Sequence, residues 1–148
     1  MATYTQILYH LVYGTKNHEG TLDLGHHDEV CRYVAGILRN KNCFVYKVRG
    51  YVDHLHILMS LHPSLALADT IKNTKLATSD WIKREKKLSR FDGWQDGYGA
   101  FTCSWKDKER IINYIGNQHE HHRRKTFREE YIEMLKRSGV EFDEKYLC

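Results

Sequence analysis

Proline is nearly missing from this sequence: Pro63 is the only one in 148 residues, which excludes a proline-rich linker or a stiff polyproline arm. Cysteine is scarce and scattered. Cys31, Cys43, Cys103 and Cys148 form no CxxC pair, so they read as reduced thiols and exclude a zinc knuckle or a disulfide framework. No apolar run approaches the roughly 20 residues needed to cross a bilayer. The opening MATYTQILYHLVYGTK lacks the basic start and small-residue cleavage site of a secretory signal, and a cytoplasmic protein with no membrane partner is expected. Repeats and low-complexity tracts are absent as well. What is present is ordinary for a globular chain: 41% hydrophobic, 12% aromatic and 28% charged residues, enough apolar content to exclude disorder. The length suits one domain over residues 1–148.

The net charge is +4 with ten histidines left uncounted, a balance that permits nucleic-acid binding without establishing it. Between positions 72 and 90, Lys72, Lys75, Lys83, Arg84, Lys86, Lys87 and Arg90 face only Asp80 and Glu85, and His119 to Lys125 reads HEHHRRK. Taken singly, each cluster is more simply a solvated helix face.

Tyr4 to Tyr13 (YTQILYHLVY), closed by Gly14, has the aromatic and apolar content of a strand. Val30, Val34, Ile37 and Leu38 recur at helical spacing within His26 to Asn40. Cys43–Arg49 and Val52–Leu61 flank Gly50 as the two strands of a hairpin. Ser64, just after Pro63, is the expected cap of a long helix to about Lys86. Gly93, Gly97 and Gly99 mark turns, and Tyr98–Trp105 is the fourth strand. Ser104 and Asp107 resemble a capping box that opens a helix to about Arg124, and a last helix covers Thr126–Arg137. The order β-α-β-β-α-β, then two helices, predicts an α+β fold. It is the ferredoxin-like or RRM-like antiparallel sheet with helices on one face, plus C-terminal helices.

Two short motifs carry candidate chemistry. In Asp53-His54-Leu55-His56-Ile57, strand alternation sends His54 and His56 to one face and Leu55, Ile57 and Met59 to the other. Two imidazoles side by side on a rigid strand are half of a divalent-metal site, although an isolated HxH is more often two surface histidines. In Tyr114-Ile115-Gly116-Asn117-Gln118, the four-residue spacing places Tyr114 and Gln118 on one helix face, flanking the Ile111/Ile115 stripe. A tyrosine there is more often packing, and the Gln118 amide oxygen is a usable ligand for a hard cation. The expected fold brings both motifs together, on a central strand and on the helix after the last strand. That gives one site with two imidazoles, an amide oxygen and a phenol. None of these groups is anionic, which suits weak metal binding completed by a phosphate and not a structural zinc.

HLH in VDHLHIL resembles the His-hydrophobic-His motif of HUH endonucleases. GYGAFTCSWKDKERIINYIGNQHEHHRRKTFREEY resembles the C-terminal signature of single-tyrosine HUH transposases of the 200/605-type insertion sequences and the related REP-associated tyrosine transposases. The likeness spans nearly the whole chain, from the first strand and Thr15-Lys16 onward, and the pairing of the two motifs is more specific than either alone. It implies that His54, His56 and Gln118 are metal ligands and Tyr114 the nucleophile. It also implies Mg²⁺ or Mn²⁺, cleavage of single-stranded DNA, a 5′-phosphotyrosine and a free 3′-hydroxyl. The implied partners are imperfect DNA hairpins, with the basic helix carrying Lys72, Lys75, Lys83 and Arg84 as the natural contact, and a second subunit. In such a homodimer the tyrosine helix of one subunit can complete the other's site. The rival of another class is an RRM-like module that binds nucleic acid without catalysis, by stacking bases on sheet aromatics such as Tyr4, Tyr9 and Tyr46.

Overall fold

The computed structural model describes residues 2–147; Cys148, one of the four expected thiols, lies outside them. The first strand, β1 (Leu8–Gly14), is followed by α1 (His27–Asn40), the hairpin β2 (Phe44–Tyr51) and β3 (His54–Ser60), then α2 (Leu67–Glu85) and β4 (Gly99–Cys103). Three C-terminal helices complete the chain: α3 (Lys108–Gly116), α4 (Gln118–His121) and α5 (Phe127–Arg137). The strands form one antiparallel sheet in the order β2-β3-β1-β4, the expected βαββαβ arrangement. The first strand begins at Leu8, not Tyr4. Its partners, Ser60 and Cys103, start opposite Leu8, and Tyr4 is 90% exposed.

Alternation along the strands separates two cores. Leu11, Tyr13, Leu55, Ile57 and Met59 pack with Val30, Val34 and Leu38 of α1 and Ile71 and Ile82 of α2. On the other face, Val12 and Phe101 meet Phe127, Tyr131, Met134 and Leu135 of α5, while Leu8 and Leu58 meet Ile115 of α3. This second face is not the open one expected for β3, because the C-terminal helices cover it. Burying apolar side chains on both faces drives that closure.

Two helix starts differ from expectation. Ala66 is the N-cap of α2 and offers no side-chain cap, while Ser64 Oγ pairs with His62 Nδ1 at 2.7 Å. Ser104 Oγ donates to the Asp107 carboxylate at 3.2 Å and caps no backbone amide, and a short 3₁₀ turn, Trp105–Asp107, intervenes before α3. Thr126 does cap α5, accepting from Glu129 N at 3.1 Å.

Gly50 pairs with Leu55 in the hairpin that carries both histidines. A Cβ built there would lie 1.9 Å from His54 O, against backbone that cannot swing away. Gly50→Ala is therefore expected to lower stability by about 1–3 kcal/mol, the range of overpacking strain. Urea unfolding measures this, and an unchanged midpoint would show that the hairpin backbone yields freely.

Candidate active site

The second sheet face and the C-terminal helices enclose the imidazoles. His54 and His56 are each 0% exposed, so the surface expected around them is an interior. His54 is held from three sides. Its ring stacks on Phe127 at 4.1 Å between centroids, Nδ1 lies 2.7 Å from Asp53 Oδ1, and Nε2 lies 2.9 Å from Gln118 Oε1. His56 Nδ1 shares a 2.8 Å hydrogen bond with His10 Nε2 of β1, and His56 Nε2 lies 3.0 Å from Glu130 Oε1. Because an imidazole can donate or accept at either nitrogen, His10 can support His56 in both neutral tautomers.

Tyr114 and Gln118 meet in the structure, but not on one continuous helix. The helix expected to reach Arg124 breaks at Asn117 (φ −97°, ψ 19°), between α3 and α4. Gly116 closes α3, where a Cβ would meet only the Lys47 side chain at an ordinary 3.6 Å. No packing demands glycine there, and its low helix propensity favours the break. Gln118 is 0% exposed and bonded to His54, while Tyr114 stays partly open.

The central group is Glu130 of α5, which the sequence reasoning missed. Its carboxylate is 1% exposed and accepts from the Tyr114 hydroxyl and from Gln118 Nε2 at 3.0 Å. It also lies 3.0 Å from His56 Nε2, 3.3 Å from His54 Nε2 and 3.2 Å from His122 Nε2. The expectation that no member of the site is anionic is thereby corrected. A signal was available: Glu130 falls among Phe127, Tyr131 and Met134 on the apolar stripe of α5, a position where an acid is rarely buried without partners. His122 was also missed as a candidate ligand; its Nδ1 donates to Lys125 O at 2.7 Å and its Nε2 faces Gln118 Oε1 at 2.9 Å.

Burial disfavours a charged His54, yet its hydrogen bonds to Asp53 and Glu130 outweigh that cost and raise its pKa to about 9. Burial also opposes the Glu130 carboxylate, but the bonds from His122, His54 and His56 hold it well below the usual range. For His56 burial dominates and lowers the pKa, and for Tyr114 burial and the Glu130 charge raise it.

The donor set fits a divalent metal. His54 and His122 nitrogens and a Glu130 oxygen lie within 4.8 Å of one another. In each histidine the remote nitrogen is anchored on an oxygen, the outer-shell arrangement that aims Nε2 at an ion. Metal and proton must compete for His54 Nε2. Its raised pKa means that the stability from the charged form is complete below about pH 6.5 and disappears as pH rises through about 9. Mn²⁺ affinity is accordingly expected to rise about tenfold per pH unit over that window, with proton uptake by buffer on binding. Calorimetry in buffers of different ionisation enthalpy reads this directly, and pH-independent affinity would place the ion elsewhere.

Of the basic residues expected to contact DNA, Lys72, Lys83 and Arg84 are exposed on α2. Lys75 is engaged inside: Nζ donates to Gln95 O at 2.9 Å and Gly97 O at 2.8 Å, and burial lowers its pKa to about 8. The α2 helix packs on the sheet face opposite the imidazoles.

A phenol beside a buried histidine–glutamate cluster able to hold a metal, on a βαββαβ antiparallel sheet, is an arrangement consistent with a tyrosine centre of the HUH kind. The chain belongs to the IS200-like transposase family, which it matches over residues 3–118. It is 26% identical over 120 residues to the ISDra2 transposase TnpA of Deinococcus radiodurans, covering 78% of this chain and 86% of that relative. Two solved structures share the fold. One is a protein of D. radiodurans R1 assigned as a transposase (TM-score 0.61, 22% identity, 80% of this chain and 95% of that one). The other is a REP-associated tyrosine transposase bound to a REP hairpin (TM-score 0.61, 12% identity, 82% and 74%). Among the described residues, no helix is long and apolar enough to cross a membrane.

Proposed function

We propose that this protein is a transposase that cuts and rejoins single-stranded DNA at hairpin-bearing element ends, with Tyr114 as nucleophile. The observation that carries this reading is the seating of the Tyr114 hydroxyl on the same buried carboxylate that the histidines surround. Tyr114 attacks the scissile phosphodiester to give a 5′-phosphotyrosine and a free 3′-hydroxyl. The covalent link preserves a reactive phosphate ester, so a second 3′-hydroxyl can reverse the step and join a new end. His54, His122 and Glu130 would hold a divalent ion, with His56 and Gln118 beside them, and such an ion supplies Lewis-acid polarisation of the phosphate. An imidazole-rich set favours Mn²⁺ over Mg²⁺, which prefers oxygen ligands and water. Enclosure by α3, α4 and α5 aligns the phenol and limits access of competing water.

The rival non-catalytic RRM-like role needs an open sheet face for base stacking, and the C-terminal helices cover the face that carries the imidazoles. A homodimer remains part of the proposal. Its tyrosine helix would dock on its own subunit, with the contacts described above, or exchange to complete the site of the other.

The test is a denaturing gel after incubation with end-labelled single strands bearing an imperfect hairpin, plus Mn²⁺. A label covalently bound to protein, absent with perfect duplex, supports the reading; no adduct across a panel of hairpin strands and metals overturns it. Lys72, Lys83 and Arg84 are proposed as phosphate contacts, with Lys75 acting through the loop it holds. Neutralising Lys72 and Lys83 together is expected to reduce the log–log salt slope of binding by about 1.4–1.8. Filter binding at graded salt measures it, and an unchanged slope would move the contact off α2.

A further inference from the structure

The family match ends at residue 118, while the carboxylate at the heart of the site stands twelve residues beyond it, on α5. Imidazoles and tyrosine converge on both oxygens of that side chain. Oε1 faces His54, His56 and His122. Oε2 receives the Tyr114 hydroxyl and the Gln118 amide and lies 3.3 Å from His121 Nε2. The rings of His10, His56 and His121 surround the phenol as edge contacts at 6.3, 5.8 and 5.5 Å between centroids. On α5 the acid stands among Phe127, Tyr131 and Met134, an apolar stripe, so the polar contacts its carboxylate makes all come from other elements.

We propose that Glu130 is a catalytic residue, whose Oε2 orients the Tyr114 hydroxyl and accepts its proton as the phenolic oxygen attacks phosphorus. The proposal rests on Tyr114 being the nucleophile of the nuclease described above. In cleavage, the Tyr114 Oη–P bond forms and the P–O3′ bond breaks. The phenolic proton passes to Glu130, and the released 3′ oxygen takes a proton from water. In rejoining, a 3′-hydroxyl attacks the phosphotyrosine and yields its proton to solvent, the Oη–P bond breaks, and Glu130 returns its proton to the phenol. A group that stores this proton through the covalent state serves both directions, as strand transfer requires. The C-terminal helix α5 thus supplies a reacting group to the active site.

The test compares wild type, Glu130→Gln and Glu130→Asp in single-turnover adduct formation with Mn²⁺, alongside binding of the same strand and thermal melting. Glu130→Gln is expected to slow adduct formation about a hundredfold or more and to leave strand binding unchanged. Placing difluorotyrosine at position 114, whose phenol gives up its proton more readily, is expected to restore at least about tenfold in Glu130→Gln and little in wild type. A purely structural role would not respond to the acidity of the phenol. If Glu130→Gln does not fold, the same rescue is read in Glu130→Asp, which keeps the charge but falls one methylene short of the phenol. Wild-type rates in Glu130→Gln, full recovery on raising Mn²⁺ alone, or no rescue by the fluorinated phenol would each overturn the proposal. A wild-type protein that forms no adduct overturns the nuclease reading as a whole, whereas those three results overturn only the role of Glu130.

Discussion

Tyr114→Phe is expected to abolish covalent capture of single-stranded DNA while leaving binding of that strand intact. Only the phenolic oxygen is lost; the ring keeps its contacts with His10, His56 and His121. Loss of a nucleophile typically removes at least about three orders of magnitude in rate, far beyond any effect on packing. The stability change should be about 1.5–3 kcal/mol, the value of one hydrogen bond to a charged acceptor, because Gln118 and the histidines still satisfy Glu130. A denaturing gel reads the adduct and filter binding reads the complex. An adduct at wild-type level would assign the chemistry to another of the ten tyrosines.

Removal of His54 should have the largest combined effect on chemistry and stability. His54→Ala deletes a fully buried ring stacked on Phe127 and leaves Asp53, Gln118 and Glu130 without a shared donor. Breaking a buried charged pair of this kind costs about 3–5 kcal/mol, and the variant should form no adduct at any metal concentration. Chelator separates chemistry from folding. Wild type in EDTA should stay folded, since the ligands bond to one another, yet lose cleavage. Saturating Mn²⁺ at about a hundred times its Kd should return about 2.7 kcal/mol of stability. Calorimetric melting and the gel assay together check this, and full cleavage in chelator would remove the metal from the reaction.

Much of the site was legible because its signals are local. His54 and His56 share a face through the two-residue period of a strand, and no tertiary information is needed to know it. The β2–β3 hairpin, the element order and the nearness of Tyr114 to Gln118 follow from similarly short patterns. Glu130 was not legible in that way. Its partners His54, His56 and Tyr114 lie 76, 74 and 16 residues away, and REEY in isolation looks like the solvated start of a helix. Lys75 shows the same limit from the other side: a lysine in a basic run counts as a free cation until its ammonium is found against Gln95 and Gly97 carbonyls.

By itself, then, the sequence determined the element order and the paired imidazoles, because hydrophobic periodicity and residue chemistry act over a few positions; Tyr114 as candidate nucleophile came from the resemblance of its motif to a known family. Tertiary structure alone decided that the second sheet face is closed, that the helix breaks at Asn117 and turns Gln118 inward, and that a carboxylate from α5 joins histidines and tyrosine. Those outcomes depend on which surfaces bury one another. Burying an acid is tolerable only where several donors converge on it, a condition no local window of sequence can reveal.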